Sequence, residues 1–311
     1  MQAVSSATKS EPVPTVAEVV TPTRTEITRS EPVRPAPTSD LPVVPAMVRV
    51  AGGTFSMGST EGEDDEKPIH DVQVSDFLMG KYELTVDEFT QFVEAKNYQT
   101  DAEQGDMSSI WTGTKTEKRA GVNWRYDEEG NLRSRSEYTH LVIHVSHDDA
   151  VAYCNWLSKR SGKMYRLPTE AEWKYEAGRG STHNKYSWGN GEPSGKQSGN
   201  IADQSTSGIF SYASTSFNDG YKYTSPVGQY APNCFGLYDM SGSVWEWCSD
   251  WYNYYVSGNS LNSAIPSSPT YRVNRGGSWG GKPQDCRVTH RNGSKPEYRL
   301  SNIGFRVVAQ P

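Results

Sequence analysis

Cysteine is scarce in this chain, with four in 311 residues at Cys154, Cys234, Cys248 and Cys286, and none of them forms a C-x-x-C pair. Such spacing argues against a structural zinc site and against a dense disulfide scaffold. Basic charge is also short. Thirty-one Lys and Arg face thirty-seven Asp and Glu, and the net charge of -6 offers no positive field to nucleic acid or anionic lipid. No run of eighteen apolar residues is present to span a membrane, and no apolar segment near the N-terminus reads as a retained signal. Apolar residues make up only 34% of the chain, which disfavours a helical bundle. Aromatic residues are missing altogether before Phe55.

What is present divides sharply in two. Residues 1–45 hold eight of the eighteen prolines among alternating Thr, Val, Glu and Arg, and cannot bury enough apolar area to offset their ordering entropy. A disordered or polyproline-like spacer is expected there, of the kind that tethers a domain to a surface. A Met followed directly by such a spacer looks like a start placed where a lipidated cysteine would stand. That reading predicts export to the cell surface or periplasm of a bacterium, with a lipid anchor upstream of the spacer as the membrane contact.

Residues 46–311 read as one soluble domain. Nine Trp and eighteen Tyr supply large buried areas per side chain, and 28 Gly imply many tight turns. "MVRVAGGTFSMGS" reads as a hairpin about Gly52 and Gly53, and "VQVSDFLMGKYELT" as continued strand. Three short helices begin at capping boxes: Thr85 with Glu88, Ser146 with Asp149, and Thr169 with Glu172. Gly162 is placed to end the second in the left-handed region, and Gly178 stands at the end of the third. Beyond Gly178 the sequence is Gly, Ser, Asn, Tyr and Trp with brief apolar runs, which predicts coil and short strands.

The motifs "GGTFSMGS", "YELTVDEFTQFV", "VSHDDAVAYCNWLSKRSGKMYRLPTEAEWKYEAGRG", "SPVGQYAPNCFGLYDMSGSVWEWCSDWY", "RVNRGGSW" and "GFR" occur in one order over Met47 to Val308. In that order they resemble the formylglycine-generating-enzyme, or sulfatase-modifying-factor, family. The resemblance implies an α+β fold of the C-type lectin kind, low in regular structure, with a few short helices and short antiparallel strands. Oxidase members of the family bind copper between two cysteines in a pattern similar to GGS-x-x-C-x-x-x-x-C. Here the second position is Cys286 and the first is Gly281, so no copper and no formylglycine-generating activity are expected. Cys286 is then a small buried hydrophobe. A calcium site of the family resembles Asn200-Ile201 followed by Asp219-Gly220-Tyr221, which makes Asn200, Ile201, Asp219 and Tyr221 candidate ligands of structural Ca2+. At the family's second site Ser243 replaces an Asn.

The C-terminal spacing, R-G-G-S-W, then C-R, then P-x-x-R, then I-G-F-R, is similar to the variable proteins of diversity-generating retroelements. That likeness implies a display segment over 275–306 with ligand-facing positions at Gly280, Gly281, Asp285, Thr289, His290, Asn292, Gly293, Ser294, Tyr298, Leu300, Ser301 and Asn302. Each can be reached from an Asn codon by changing adenines; Lys282, Gln284, Lys295 and Glu297 cannot. Arg287, Arg291 and Arg306 are expected to hold the segment through bidentate bonds to buried carboxylates such as Glu246 or Glu172.

Several local patterns point elsewhere. His140 and His144, near His147, would approach each other on a helix, but "THLVIHVS" reads as a strand that sets the first two roughly 13 Å apart. Gly276 to Gly280 matches G-x-S-x-G, yet Gly280, Gly281 and Pro283 disfavour the helix a nucleophile elbow needs. Glu61 to Glu66, "EGEDDE", reads as a solvated acidic loop. The favoured function is a non-enzymatic, monomeric binding protein for an unidentified protein or surface ligand, with no nucleic-acid partner. The alternatives are a cofactor-dependent enzyme of the same superfamily and a structural subunit of the cell envelope.

Overall fold

The computed structural model describes residues 44–178, 180, 184–256 and 269–311, all within the compact unit Leu41–Pro311. The spacer expected over 1–45 lies outside the described residues except at its last two positions. In chain order the strands are β1 (Met47–Val50), β2 (Gly53–Met57), β3 (His70–Val74) and β4 (Phe77–Gly80). Helices α1 (Val86–Lys96) and α2 (Asp101–Gln104) follow, then β5 (Met107–Trp111), β6 (Thr116–Ala120) and α3 (His147–Ser161). Next come β7 (Tyr165–Arg166), α4 (Glu170–Ala177), β8 (Trp245–Trp251), β9 (Arg272–Arg275), β10 (Asn292–Ser294), β11 (Ile303–Gly304) and β12 (Val308–Ala309). Among the described residues no helix is long and apolar enough to cross a membrane.

The three predicted helix starts hold because each cap satisfies otherwise orphaned backbone donors. Thr85, Ser146 and Thr169 accept from the amides of Glu88, Asp149 and Glu172, whose side chains reach back to the cap. Asn97 and Gly162, in the left-handed region, end α1 and α3. One sheet runs β1-β4-β12-β7, so the C-terminal strand lies between the first domain strand's partner and the strand that follows α3. A second four-stranded sheet runs β10-β9-β8-β11 and delivers the last segment of the chain to its two edges, while β2-β3 and β5-β6 form two-stranded sheets. Beneath them Phe89, Phe92, Trp124, Tyr153, Trp156 and Phe305 form an edge-to-face and tilted aromatic core, with Phe89 5.5 Å from Trp124 and Tyr153 5.7 Å from Phe305.

Three local expectations fail, each because a distant partner outcompetes a near one. β1 and β2 do not form a hairpin: β1 pairs with β4 and β2 with β3. Gly52 is required there because a Cβ would sit 2.4 Å from Val74 O. The strand expected after Val72 breaks at Ser75 and Asp76, where the Asp76 carboxylate accepts from Gly52 N at 2.9 Å. "THLVIHVS" makes only isolated bridges at His140 and Leu141, and His144 adopts a φ of 61°.

Candidate ligand-display site

The last segment leaves β9 through two left-handed glycines, Gly276 and Gly277. A Cβ at Gly277 would lie 2.4 Å from Cys286 Sγ, so only glycine lets the chain close over that thiol. Pro283–Cys286 then forms a short 3-10 turn, with Asp285 Oδ2 accepting from Lys282 N at 2.9 Å. This path turns Trp279 inward, where its Nε1 donates to Ser301 O at 3.2 Å and ties the start of the segment to its end.

Six predicted display residues, Gly280, Gly281, Asp285, Leu300, Ser301 and Asn302, line one cleft of about 340 Å³. Its other wall is aromatic and absent from the sequence-based site: Trp111, Phe210, Tyr212 and Trp245. Trp111 and Phe210 lie 5.3 Å apart, Phe210 stacks on Tyr212 at 5.3 Å, and Tyr212 Oη donates to Gly280 O at 2.9 Å. The signal for that wall was "GIFSY" in an otherwise Ser-rich and Asn-rich stretch, but nothing local says which surface it faces.

The other six are dispersed. Thr289 lines a separate and larger cavity. His290 tilts against Trp245 with centroids 5.7 Å apart. Asn292, Gly293 and Ser294 form edge strand β10, with Asn292 Nδ2 bonded to Asn274 Oδ1 at 2.8 Å. A Cβ on Gly293 would sit 2.9 Å from the Tyr252 ring, and Ser294 is buried. Tyr298 is exposed.

The arginines face the opposite way, into carboxylates. Arg306 binds Glu246 through two contacts of 2.7 Å. Arg291 grips Glu170 at 2.6 and 2.9 Å, and Arg275 meets the same carboxylate at 2.7 Å. Arg287 takes Glu66 at 2.6 and 2.9 Å. Two expectations change here. Glu172 pairs with Arg166 instead, and Glu66, taken as part of a solvated loop, is fully buried. Burial pushes the Glu170 carboxyl up, but Arg275 and Arg291 outweigh it and hold it down at about 2.

The cysteines and histidines have no catalytic arrangement among the described residues. Cys154, Cys248 and Cys286 are buried and Cys234 is exposed; burial pushes the Cys286 thiol well above the ordinary range. Ser278 Oγ meets only the Asn302 amide, at 3.4 Å. The three histidines point to three places: His140 to Thr224 Oγ1, His144 Nε2 to Asp127 O, and His147 Nε2 to Cys248 O. Burial lowers each to about 4, so all are neutral at pH 7. No group of three or more His, Cys, Asp or Glu among the described residues is placed to hold a metal.

Oxygen donors of mixed type do converge at Asn200. Its Oδ1 is buried without a partner while its Nδ2 donates to Tyr223 O. Asp219 receives Ile201 N and Tyr221 N, at 3.3 and 2.8 Å. Burial raises Asp219 to about 7, with Asp203 adding repulsion. Asp203, buried and accepting from Asp219 N, is a member of this cluster that the sequence reading did not name. The donor set of amide and carboxylate oxygens fits a hard cation.

The comparisons agree with this architecture. Residues 33–311 match the Sulfatase-modifying factor enzyme 1-like domain. The chain is 35% identical over 298 residues to the formylglycine-generating enzyme of Thermomonospora curvata, covering 86% of this chain and 95% of that one. Among solved structures, PvdO from Pseudomonas aeruginosa superposes with a TM-score of 0.69 at 27% identity, over 88% of this chain and 97% of PvdO. Treponema denticola variable protein 1 does so with a TM-score of 0.61 at 24% identity, over 85% and 95%, a likeness of fold alone. Mixed α and β structure with few helices and short, mainly antiparallel strands is thus the shared fold. With nearly the whole domain matched, the chain belongs to the sulfatase-modifying-factor, or formylglycine-generating-enzyme, family.

Proposed function

We propose that this member binds a ligand without transforming it, presenting the cleft between the C-terminal segment and the Trp111–Phe210–Tyr212 wall. The observation that carries this reading is the pair of positions 281 and 286. Gly281 stands at the cleft with no thiol, and Cys286 is sealed beneath Gly277. Two thiolates are what the oxidase chemistry needs, and of the two matching positions only 286 carries a thiol, which is buried. Loops held on a rigid core tolerate substitution at their exposed positions, which suits display.

The same reading places Ca2+ at Asn200, Ile201, Asp219 and Tyr221, where it would fix the segment that carries Phe210 and Tyr212. It also takes residues 1–45 as the tether of an exported domain, anchored by lipid at the cell surface or facing the periplasm. The test is direct. The purified chain is loaded with copper and incubated aerobically with cysteine-containing peptides, which are then weighed by mass spectrometry. Unchanged peptide is expected; conversion of cysteine to formylglycine overturns the reading. DNA flanking the gene supplies a second readout, a near-identical copy of the last coding stretch that differs at adenines beside a reverse transcriptase gene.

A further inference from the structure

A cavity of about 800 Å³ shares no lining residue with the display cleft and is not used by the function proposed above. Lys174 of α4 lines it and is only 3% exposed. Buried lysines are rare unless paired with a carboxylate. Lys174 has no ion pair among the described residues; its Nζ donates to two backbone carbonyls, Ser56 O at 2.9 Å and Gly58 O at 3.3 Å. The nearest acids are already committed, Glu170 to Arg275 and Arg291 and Glu66 to Arg287. Desolvation and the Arg275 charge pull the Lys174 ammonium down to about 7, so much of it is free amine at neutral pH. A free amine at a cavity wall is a nucleophile.

The rest of the lining is suited to a small polar molecule. Phe55 and Val288 give apolar contact, Asn184 and Asn190 give amide groups, and Lys185, which no ion pair neutralises among the described residues, stands against Glu61 as the one acid of the lining. We propose that this cavity captures a small aldehyde carrying a carboxylate, through a reversible imine with Lys174. The Nζ lone pair adds to the aldehyde carbon to give a carbinolamine. The oxygen then leaves as water with the two amine protons, and a C=N bond remains. No oxidant or reductant takes part, and hydrolysis returns both partners.

The test uses the intact protein and glyoxylate as probe, with cyanoborohydride to trap the imine and peptide mapping to locate it. Lys174 is expected to be modified at least tenfold faster than the mean of the exposed lysines, with a midpoint in rate near pH 7. Glycolaldehyde, which lacks the carboxylate, should react several-fold more slowly at Lys174. Labelling of exposed lysines with Lys174 untouched overturns the imine, and equal rates for the two aldehydes overturn the choice of an anionic ligand. Lys174→Arg, checked for folding by near-UV circular dichroism, should lose the fast site alone. Because the readout is the wild-type map, the proposal remains testable if that variant does not fold.

Discussion

The C-terminal segment has two faces that obey different physics. On one, Arg275, Arg287, Arg291 and Arg306 enter the protein and meet Glu170, Glu66 and Glu246 at ion-pair distance. On the other, Gly280, Gly281, Asp285, Leu300, Ser301 and Asn302 border an open cleft. A segment with almost no regular structure must be held in one conformation by something besides a ladder of backbone bonds. Buried guanidiniums do this, because bidentate geometry admits one placement and an unpaired buried charge is heavily penalised. The first face therefore fixes the shape, and on the display reading proposed above the second is the one free to vary.

The strongest way to break this contrast is Arg291→Ala. It takes the bidentate partner from Glu170, which is 2% exposed and keeps only Arg275 as a cation. Removing one partner of a buried pair costs about 3–5 kcal/mol, to be measured by chemical denaturation at pH 7. A loss comparable to that of a cleft substitution would mean that the arginines do not set the conformation.

Helix α4 sharpens the comparison, for it carries two buried acids with opposite fates. Glu170 is held ionised by two arginines. Glu176, fully buried with neither oxygen hydrogen-bonded, is pushed up to about 8 by burial, which Arg306 only partly offsets. A carboxyl raised in the folded state keeps its proton there after the unfolded chain has lost it. The stability it contributes is complete below about pH 4.5 and is lost as pH rises toward about 8. The slope is about 1.4 kcal/mol per pH unit, so about 3 kcal/mol between pH 5 and 7. Glu176→Gln cannot ionise and should remove that part of the pH dependence while matching the parent at pH 5. Parallel stability curves for parent and variant would show that Glu176 is ionised in the fold.

Calcium tests the cleft face through its wall. The cluster of Asn200, Asp203 and Asp219 lies in the stretch that also carries Phe210 and Tyr212. If calcium binds at a hundredfold excess over its dissociation constant, adding it stabilises the fold by about 2.7 kcal/mol. EGTA should then lower the melting temperature, and Asp219→Asn should abolish the response. No shift in the parent would leave Asn200 and Asp219 as turn residues.

Much of the first face was legible because its signals are local. The capping boxes at Thr85, Ser146 and Thr169 need only four residues each, and the arginines stood out as fixed points of the R-G-G-S-W, C-R and G-F-R spacing. Their partners were harder to read. Glu170 opens α4, where an acidic residue is ordinary on helix-dipole grounds, and Glu66 ends an acid-rich run that resembles solvated loop. The β1–β2 hairpin misled because pairing β1 with β4 buries Val50, Phe77 and Met79 in one core cluster, whereas proximity in sequence favoured β2. The aromatic wall of the cleft comes from β5, from the stretch between Gly199 and Tyr223 and from the first residue of β8, Trp245, which no spacing rule links to residue 281.

The smallest effects decide whether the cleft face is free. Thr289, read from sequence as a display position, accepts from Arg287 Nη1 at 2.9 Å and so belongs partly to the holding side. Thr289→Ala should cost about 1 kcal/mol, the worth of one partly buried hydrogen bond. Asn302 makes only a long bond of 3.4 Å to Ser278 Oγ with its side chain, and its backbone carbonyl, which accepts from Trp245 N at 2.9 Å, survives any substitution. Asn302→Ala should therefore stay within about 0.5 kcal/mol of the parent. Melting curves for Arg291→Ala, Thr289→Ala and Asn302→Ala, taken together, should rank in that order. Equal melting temperatures for Arg291→Ala and Thr289→Ala would abolish the division of labour. A loss above about 2 kcal/mol at Asn302 would show that the cleft residues are also held in place by what they contribute to the fold, leaving no position on that side to vary.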